Sequence, residues 1–401
     1  MIPLVLDVRG NRISPSMLRW QTLIKYSVVH PAELGESDLS KWRKIQSEAP
    51  LLGSPFLSPE FTLAVGAIRP RSRVAVLTDG AEVVGFFPFE RRGMGYGVPI
   101  GAWYSDCQGM VHAPGLEFDP RQLLQACGLA VWEFNRLVTG QTHFESYEIT
   151  RATSSVMDLS AGFQPFLATV RENSNSKLRD LYRLQRKLER EKGPVRFVYD
   201  SQDHAALRTV MGWKSAQYFR TGTADKFAQR WFVDLFDRLF ASTSETFSGV
   251  LSVLYAGDEP VAGHFGLRSD RAMAYWFPAF DRQYSPYSPG LILKLHLAEA
   301  AAGCGIQHVD LGTGAEEYKR WFQTGTLTFS QGRVTRRSLG AALYSIRRAS
   351  SNGVRQAMTS HPSVLGTAKR ARSTYFRLNA AVNRRKVGGA GHGADDKKTC
   401  G

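Results

Sequence analysis

The sequence predicts an α/β protein made of two similar units and a basic C-terminal tail. Three observations support this prediction. Hydrophobic residues alternate in short runs that end at turn signals, as around Asp79-Gly80, which is typical of antiparallel strands. In both halves of the chain, segments with hydrophobic residues at helical spacing separate these runs. Finally, no acidic residue occurs between Gln331 and Ala390, so the C-terminal segment differs in charge from everything before it.

The first unit is predicted to span residues 20–165. A strand is expected at 23–29 and a helix at 38–48, followed by a hairpin of strands at 74–78 and 82–89. A helix is predicted at 120–137, because Leu123, Leu124, Cys127, Ala130 and Val131 share one face at helical spacing. A strand at 146–149 closes the unit.

The second unit is predicted to span residues 166–335. It begins with a strongly basic helix at 174–191 that ends at Gly193-Pro194. Two further helices are expected, and then three strands whose turns lie at Gly257-Asp258 and Ser269-Asp270. The predicted elements that follow are a helix at 289–302, a strand at 307–311, a helix at 316–322 and a strand pair within 326–335.

Composition limits the functional classes that the chain can belong to. Its 401 residues leave room for two domains and a tail, and 43% hydrophobic with 22% charged residues is typical of a globular chain. There is no sustained hydrophobic run and no pattern of a secretory signal, so we expect a cytoplasmic protein. No metal site or disulfide framework is expected, because the cysteines are far apart in the chain: Cys107, Cys127, Cys304 and Cys400.

The helix predicted at 289–302 has the features of an anion site. Ser288 can cap it, Pro289 suits its first position, and Gly290 lets a ligand approach the backbone. Free N–H groups and the helix dipole attract phosphate at such an end. No acidic residue follows until Glu299, and Lys294 adds a positive charge one turn into the helix.

Backbone donors from Tyr287 to Leu291 are therefore predicted to hold a phosphate group, with Arg282 or Lys294 adding a charge contact. The same serine, proline and glycine are also ordinary residues for a helix start. Two glycine clusters compete for this role and are less suitable. No helix follows the cluster at 92–101, and in the cluster at 310–317 two glutamates would repel phosphate.

Several segments together carry a family resemblance. The stretches SPYSPGLILKLHLAEAA and HVDLGTGAEEYKRWF, with upstream matches at 54–61, 213–227 and 257–270, resemble the CelD/BcsL-type acetyltransferases. These enzymes belong to the GNAT (Gcn5-related N-acetyltransferase) superfamily and are related to the FemAB-like transferases. The resemblance covers residues 20–335. It implies two tandem GNAT-like domains with mixed, mostly antiparallel sheets flanked by helices.

The resemblance also implies a chemistry. The domain at 166–335 would bind acetyl-CoA or another acyl-CoA, and the acceptor would attack the thioester directly. A role in cellulose or other exopolysaccharide production is implied, with a sugar-type amine or hydroxyl as acceptor. Two alternatives remain open: a FemAB-like transfer from aminoacyl-tRNA, and a non-catalytic, membrane-associated component of polysaccharide assembly.

Candidate catalytic residues follow from the need for an acid and a base in acyl transfer. Tyr318 stands where many enzymes of this superfamily carry the tyrosine that protonates the departing thiolate; a packed aromatic residue is the plainer interpretation. His264, predicted in mid-strand, is the candidate base, because imidazole titrates near neutral pH. A structural histidine is the alternative, and Glu317 and Asp310 are weaker candidates for the same role.

Acceptor contacts are predicted from one helix face and from the segment after 310. Trp213, Lys214, Gln217 and Tyr218 form a polar and aromatic face, although a helix with one buried aromatic side explains the pattern equally well. Glu317 and Lys319 are added as substrate-binding candidates, with a solvated surface as their alternative.

The basic tail is predicted at residues 336–401. Its first part has hydrophobic residues at near-helical spacing among arginines, which suits an anionic membrane surface, although simple solvation of charge is an equal alternative. From Gly388 onward the composition predicts disorder. Nucleic acid is not the expected partner, because the aromatic residues that interleave with charge in single-strand binding are missing.

Overall fold

The computed structural model describes residues 24–314, 317–336, 338 and 344; for residues 317 and 318 it describes the backbone alone. The predictions for the tail beyond these positions, and for the start of the helix at 316, lie outside the described residues. None of the described helices is long and hydrophobic enough to cross a bilayer.

The described elements alternate between strands and helices in the expected α/β manner. The strands are β1 (Lys25–Val29), β2 (Ser72–Asp79), β3 (Glu82–Arg91), β4 (Tyr96–Pro99), β5 (Val111–His112), β6 (Val131–Val138), β7 (Glu148–Asp158), β8 (Val195–Val198), β9 (Phe247–Ala256), β10 (Glu259–Ser269), β11 (Ala272–Phe280), β12 (His308–Thr313) and β13 (Gly325–Thr335). The helices are α1 (Glu36–Glu48), α2 (Pro59–Gly66), α3 (Pro120–Ala126), α4 (Phe163–Lys192), α5 (His204–Thr221), α6 (Arg230–Phe240), α7 (Pro289–Gly303) and α8 (Glu317–Phe322).

All these strands join one mixed sheet. Its order is β1-β2-β3-β4-β6-β13-β7-β12-β11-β10-β9-β8, with β5 paired to β3. Each half contains one parallel pair, β4 with β6 and β11 with β12, and the other pairs are antiparallel. The two halves therefore repeat the same arrangement on either side of the central β13/β7 pair.

The two central strands come from different halves of the chain. β13, predicted as part of the second unit, lies between β6 and β7 and is hydrogen-bonded to both. β7, from the first half of the chain, pairs with β12 of the second. Each half is thus completed by a strand from the other, and the predicted boundary at 165/166 falls inside α4.

One hydrophobic core contains residues of both halves. One cluster joins Trp42, Phe56 and Phe61 of the first half to α5, α6 and Trp276 of the second. The rings of Phe56 and Trp276 meet edge to face at 5.3 Å. A second cluster fills the opposite face of the second half, between the sheet and helices α4 and α7. The second half therefore has α5 and α6 on one face of its sheet, and α4 and α7 on the other.

One predicted element is wrong in type. The helix expected at 120–137 ends at Ala126, and β6 begins at Val131. Gly128 adopts φ +64°, a left-handed conformation that commonly ends helices and that glycine adopts without strain. Beyond it, Val131, Trp132 and Phe134 are fully buried in the sheet, where β-branched and aromatic side chains pack well.

Candidate active site

A cleft forms where two neighbouring parallel strands separate. β11 and β12 are paired from Ala272/His308 to Ala274/Asp310, and beyond that point each strand continues without the other. A cavity of about 300 Å³ lies beside the diverging end of β11. Its walls come from α5, from the end of β11 and from the first turns of α7. A volume of this order is typical of the smaller ligand pockets in proteins.

The start of α7 differs in detail from the prediction. Ser288 occupies the cap position, but with φ +53° and ψ +49°, and its side chain makes no capping hydrogen bond. The Ser288 N–H donates to the Ser285 carbonyl at 3.1 Å, and the Leu291 N–H donates to the Ser288 carbonyl at 2.9 Å. Pro289 has no N–H. Of the amides predicted at 288–291, only that of Gly290 makes no backbone hydrogen bond within the described chain.

Gly290 faces an aromatic ring across the cavity. A Cβ atom placed on Gly290 would lie 3.5 Å from Cδ1 of Phe280, an ordinary van der Waals distance. Both residues line the cavity, and the Phe280 side chain is partly exposed. Because Gly290 has no side chain, a narrow space remains beside its amide, which is the amide of the helix start that makes no backbone hydrogen bond within the described residues.

The charges around this helix start favour an anion. The first turn of α7 contains no acidic residue. Lys294 lines the cavity although it is only 1% exposed, and its ammonium lies 5.0 Å from the Tyr275 ring centre and 5.4 Å from that of Phe322. Both distances are within the range of cation–π attraction. Arg282 is exposed on the preceding 3-10 turn and does not line the cavity.

The side chain of Tyr287 is engaged elsewhere. It is buried, and its hydroxyl donates to Glu191 Oε2 of α4 at 2.7 Å. Leu291 lines the cavity described above and also a second one, of about 150 Å³, between α4, α7 and α8. Trp321 and Phe322 form part of this second cavity. The first turn of α7 therefore has an opening on each side.

Two of the predicted acceptor residues line the same cavity as the predicted donor residues. They are Lys214 and Gln217 of α5. The Lys214 Nζ donates to the Pro278 carbonyl at 3.0 Å and lies 5.6 Å from the ring centre of Tyr218. Trp213 and Tyr218, in contrast, are half-buried and pack against the core. Burial raises the pKa of the Tyr218 phenol, with Asp225 and Asp106 adding to the effect.

The placement of His264 does not support its predicted role as a base. The imidazole has no exposed surface, and it stacks on Tyr275 at 4.2 Å between ring centres. Burial, reinforced by Lys294, lowers its pKa to about 3. The ring is therefore neutral at physiological pH, but it does not line the cavity and offers no contact to an acceptor there.

The segment after β12 contains the remaining candidates. Lys319 is 5% exposed, and its Nζ donates to the carbonyls of Gly312 and Thr313 at 3.1 and 3.0 Å, so it holds the end of β12 in place. The backbones of Glu317 and Tyr318 lie in the first turn of α8, and their side chains lie outside the described part of the molecule. The roles of Glu317 and Tyr318 stay predictions.

A residue that the sequence marked only weakly is Asp310. Its Oδ1 accepts hydrogen bonds from the Ser154 hydroxyl and from the Gly312 N–H, the latter at 2.9 Å. Burial raises its pKa to about 6, against the lowering effect of these two hydrogen bonds. The only sequence signal for this residue was an acidic side chain at the end of a buried strand.

Comparison with known proteins defines the class of this site. Residues 175–320 match the family described as "Acetyltransferase (GNAT) domain". A crystal structure of FemX superposes with a TM-score of 0.55 at 9% identity, covering 80% of this chain and 99% of that chain. A conserved protein of unknown function from Bacteroides thetaiotaomicron gives a TM-score of 0.50 at 8% identity, covering 78% of this chain and 100% of that chain.

A tandem GNAT protein from the clavulanic acid biosynthesis pathway is also similar, with a TM-score of 0.44 at 12% identity and coverage of 78% and 98%. No curated protein matches the chain. The likeness to FemX extends over both halves of the sheet and concerns the fold alone.

The match to an acetyltransferase domain defines an acyltransferase. More particularly, the match to a GNAT acetyltransferase domain covers residues 175–320, within an α/β fold of GNAT-like mixed sheet flanked by helices. The predicted fold class and enzyme class are thereby confirmed. A domain of this family implies an acyl-CoA co-substrate. Within the described residues, no group of three or more His, Cys, Asp or Glu side chains is placed to hold a metal ion.

Proposed function

We propose that the protein transfers an acyl group, in the first instance acetyl, from coenzyme A directly to the amine or hydroxyl of a sugar-type acceptor. One observation carries this proposal. A single cavity is lined both by the start of α7 and by Lys214 and Gln217 of α5. The residues predicted to bind the donor and two of those predicted to bind the acceptor therefore line the same cavity. Direct transfer requires the two substrates to be this close.

The residues at the start of α7 fit the donor. The Gly290 amide and the positive end of the helix dipole suit a phosphate group, and the first turn contains no acid that would repel it. Lys294 adds positive charge inside the cavity. The thioester supplies the activated acyl group. We propose that the residues from 287 to 291 bind the donor, with Arg282 available from the protein surface.

The acceptor would enter from the α5 side of the cleft. Lys214 and Gln217 offer hydrogen-bonding groups there, and Tyr218 lies beside Lys214. Trp213 supports this helix from the core side. We propose that Tyr318 protonates the departing thiolate and that Glu317 adds to the acceptor contacts, because α8 begins four residues after the end of β12. Lys319 would support the end of β12 through its two carbonyl contacts.

The biological setting that we propose follows from the resemblance to CelD/BcsL-type enzymes: cellulose or other exopolysaccharide production, at the cytoplasmic side of a membrane. The basic tail at 336–401 would contact anionic lipid. The described contacts of the tail include two hydrogen bonds to β6 and its approach: the Arg336 N–H donates to the Ala130 carbonyl at 2.9 Å, and the Tyr344 hydroxyl donates to Glu133 at 2.7 Å. The start of the tail is thus attached to the first half.

An aminoacyl-tRNA donor is a second candidate because of one observation. The outer face of α4 exposes a row of cations, which would suit a nucleic-acid backbone: Arg179, Arg183, Arg186 and Arg190. This face lies on the same side of the sheet as α7.

Calorimetric titration of the full chain with acetyl-CoA tests the proposal. We expect saturable binding at micromolar to millimolar ligand, followed by release of free thiol when glucosamine is supplied. No heat of binding at millimolar acetyl-CoA would refute the acyl-CoA donor. In that case, binding of charged tRNA with a steep salt dependence would favour the second candidate.

A further inference from the structure

We infer that the cleft of the first half is filled by the protein's own chain, so that the two halves together bind one acyl donor. The occupant is the filling segment, residues 101–110, with the side chain of Gln108 at its centre. The inference rests on the acyl transfer proposed above for the nature of the donor. The filling of the cleft is a property of the first half alone.

Both halves contain the same divergence of two parallel strands. In the second half, β11 and β12 separate beyond Asp310, and the cavity beside α7 lies at this opening. In the first half, the corresponding strands β4 and β6 are paired only as far as Gly97 and Trp132. β6 continues to Val138, so its later residues also border a gap in the sheet.

The chain enters this gap soon after β4. In the second half, residues 281–288 lead from β11 directly to α7, whereas residues 100–119 lie between β4 and α3 in the first. Gly101 has φ +72° and Ala102 has φ +50°, so two successive residues are left-handed. Alanine rarely adopts this conformation, which persists where the surrounding structure fixes it. The residues that follow this turn lie against β6.

The backbone of Gln108 extends the sheet along the edge that β4 leaves. The Gln108 N–H donates to the Arg136 carbonyl, and the Gln108 carbonyl accepts from the Val138 N–H, both at 2.9 Å. Gln108 and Leu137 form a parallel bridge, in the same sense as the pairing of β4 with β6. Since β13 is paired with the other edge of β6, both edges of this strand are occupied.

The side chain of Gln108 binds further groups of the same edge. Its Oε1 accepts from the N–H groups of Asn135 and Arg136 at 3.0 and 3.1 Å, and its Nε2 donates to Asn135 Oδ1 at 2.8 Å. Nε2 also donates to the Ala102 carbonyl at 3.3 Å. Gln108 is buried, where an amide group is costly unless it is hydrogen-bonded. The side chain thus occupies the polar groups that a ligand in this gap would need.

The end of the filling segment is fixed by a second glutamine. Gln141 Oε1 accepts from the Met110 N–H at 3.1 Å, and Gln141 Nε2 donates to the Met110 carbonyl at 2.9 Å. Within the segment, the Ser105 hydroxyl donates to the Cys107 carbonyl at 2.6 Å. All four residues are buried. The filling segment is therefore part of the interior and not a loop on the surface.

Contacts with the second half hold the segment from the other side. The Tyr104 carbonyl accepts from Trp276 Nε1 at 3.1 Å, and the Tyr104 hydroxyl accepts from Gln229 Nε2 at 3.0 Å. The ring centres of Tyr104 and Phe232 are 4.6 Å apart. Removing the segment from the gap would break these contacts between the halves as well as the hydrogen bonds to β6.

The helix that follows the gap is also unsuited to an acyl donor. α3 corresponds to α7 in the order of elements, but Asp119 is its cap, and Asp119 Oδ1 accepts from the Arg121 N–H at 2.8 Å. This carboxylate occupies an amide that a phosphate would need, and it repels negative charge. The first turn of α7 contains no acid. The halves therefore differ both in the cleft and in the helix start.

Calorimetric titration of the full chain with acetyl-CoA counts the donor sites. We expect one acetyl-CoA per chain, and two per chain would overturn the inference. Absence of binding would overturn the proposed function instead. The filling of the cleft is then decided by the labelling of cysteines, which does not depend on the donor.

Cysteine labelling reports directly on the filling segment. Cys107 lies in the segment and Cys127 at the end of α3, and both are buried, whereas Cys304 is exposed. Burial raises the pKa of both buried thiols to about 12, so each should react only after it becomes exposed. In the wild type, a pulse of N-ethylmaleimide followed by peptide mass spectrometry should label Cys304 at least about tenfold faster than Cys107, with or without millimolar acetyl-CoA.

Gln108→Ala tests the role of the side chain. It removes the acceptor of two buried N–H groups, so labelling of Cys107 should become at least about tenfold faster while Cys127 stays protected. The matched control is Gln125→Ala, because Gln125 is exposed on α3, and it should behave as wild type. If Gln108→Ala also exposes Cys127, the same result is expected from Gln108→Glu, which keeps an accepting oxygen.

Three outcomes would overturn the inference by labelling alone. The first is rapid labelling of Cys107 in the wild type, at the rate of Cys304. The second is acceleration of Cys107 labelling by acetyl-CoA, which would show that the segment makes way for the donor. The third is unchanged protection of Cys107 in the Gln108 variants.

Discussion

Replacing Gly290 by alanine should separate the stability of the protein from its affinity for the donor. The added Cβ would lie 3.5 Å from Phe280 Cδ1, and the residue does not have a left-handed φ, so no clash or backbone strain is expected. Alanine also loses less conformational freedom than glycine when a helix forms. We therefore expect the free energy of unfolding to stay constant or to rise by up to about 1 kcal/mol.

Affinity should change in the opposite direction. The new methyl group would lie 3.5 Å from the Phe280 ring, in the space through which the phosphate of the proposed donor would approach the Gly290 amide. The amide is the only one among residues 288–291 that makes no backbone hydrogen bond in the described chain. Loss of this contact should weaken acetyl-CoA binding at least about tenfold, which corresponds to about 1.4 kcal/mol.

Calorimetric titration with acetyl-CoA and thermal unfolding of the same samples measure the two quantities. Gly303→Ala is the matched control, because Gly303 ends the same helix and is exposed, and a Cβ atom placed on it would meet no other atom within 4 Å. The control should bind acetyl-CoA as the wild type does. If Gly290→Ala also binds with unchanged affinity, the start of α7 does not hold the donor phosphate on this side, and the reasoning is refuted.

Three further predictions concern the acid, the buried histidine and the tail. Tyr318→Phe should lower turnover and leave the Kd for acetyl-CoA intact; equal turnover in steady-state assays would remove it as the acid. His264 has a pKa of about 3 when folded and about 6.5 when unfolded, so the stability that its neutral form contributes is complete above pH 6.5 and is lost as the pH falls toward 3. His264→Gln should therefore reduce the loss of unfolding free energy between pH 7 and pH 5 by about 2 kcal/mol in urea titrations, and an equal loss in both proteins would contradict this. Removing the residues after Tyr344, which keeps the contacts of Arg336 and Tyr344 with the first half, should abolish binding to anionic vesicles at low salt; unaltered binding would exclude the tail as a membrane contact.

The elements of the second half were predictable because their signals are local. The turns at Gly257-Asp258 and Ser269-Asp270 separate strands β9, β10 and β11 as expected. The helix at Pro289–Gly303 begins at the predicted proline. The helix predicted at 120–137 failed for an equally local reason: hydrophobic residues from 123 to 131 suit a helical face, but the left-handed Gly128 divides them between α3 and β6.

Only some of the residues that line the cavity were predicted from the sequence. The others could not be, because contacts between residues far apart in the chain determine which side chains reach the cavity. Lys214 and Gln217 were predicted as acceptor contacts, and they line the cavity beside the start of α7. His264 was chosen for its chemistry, yet stacking on Tyr275 and full burial remove it from the cleft. No spacing rule indicates burial of this kind, since the covering residues belong to other elements.

The sequence by itself determined the fold class, the order of most elements and the helix start that suits an anion, because propensity, periodicity and capping act between neighbouring residues. The tertiary structure decided which strands complete each half: β13 inserts between β6 and β7, so the two units share one sheet. It also decided the surroundings of the carboxylate at the last paired position of β11 and β12. Ser154 and Asp310 are 156 residues apart and meet only because β7 pairs with β12, and it is the burial produced by this pairing that raises the pKa of Asp310.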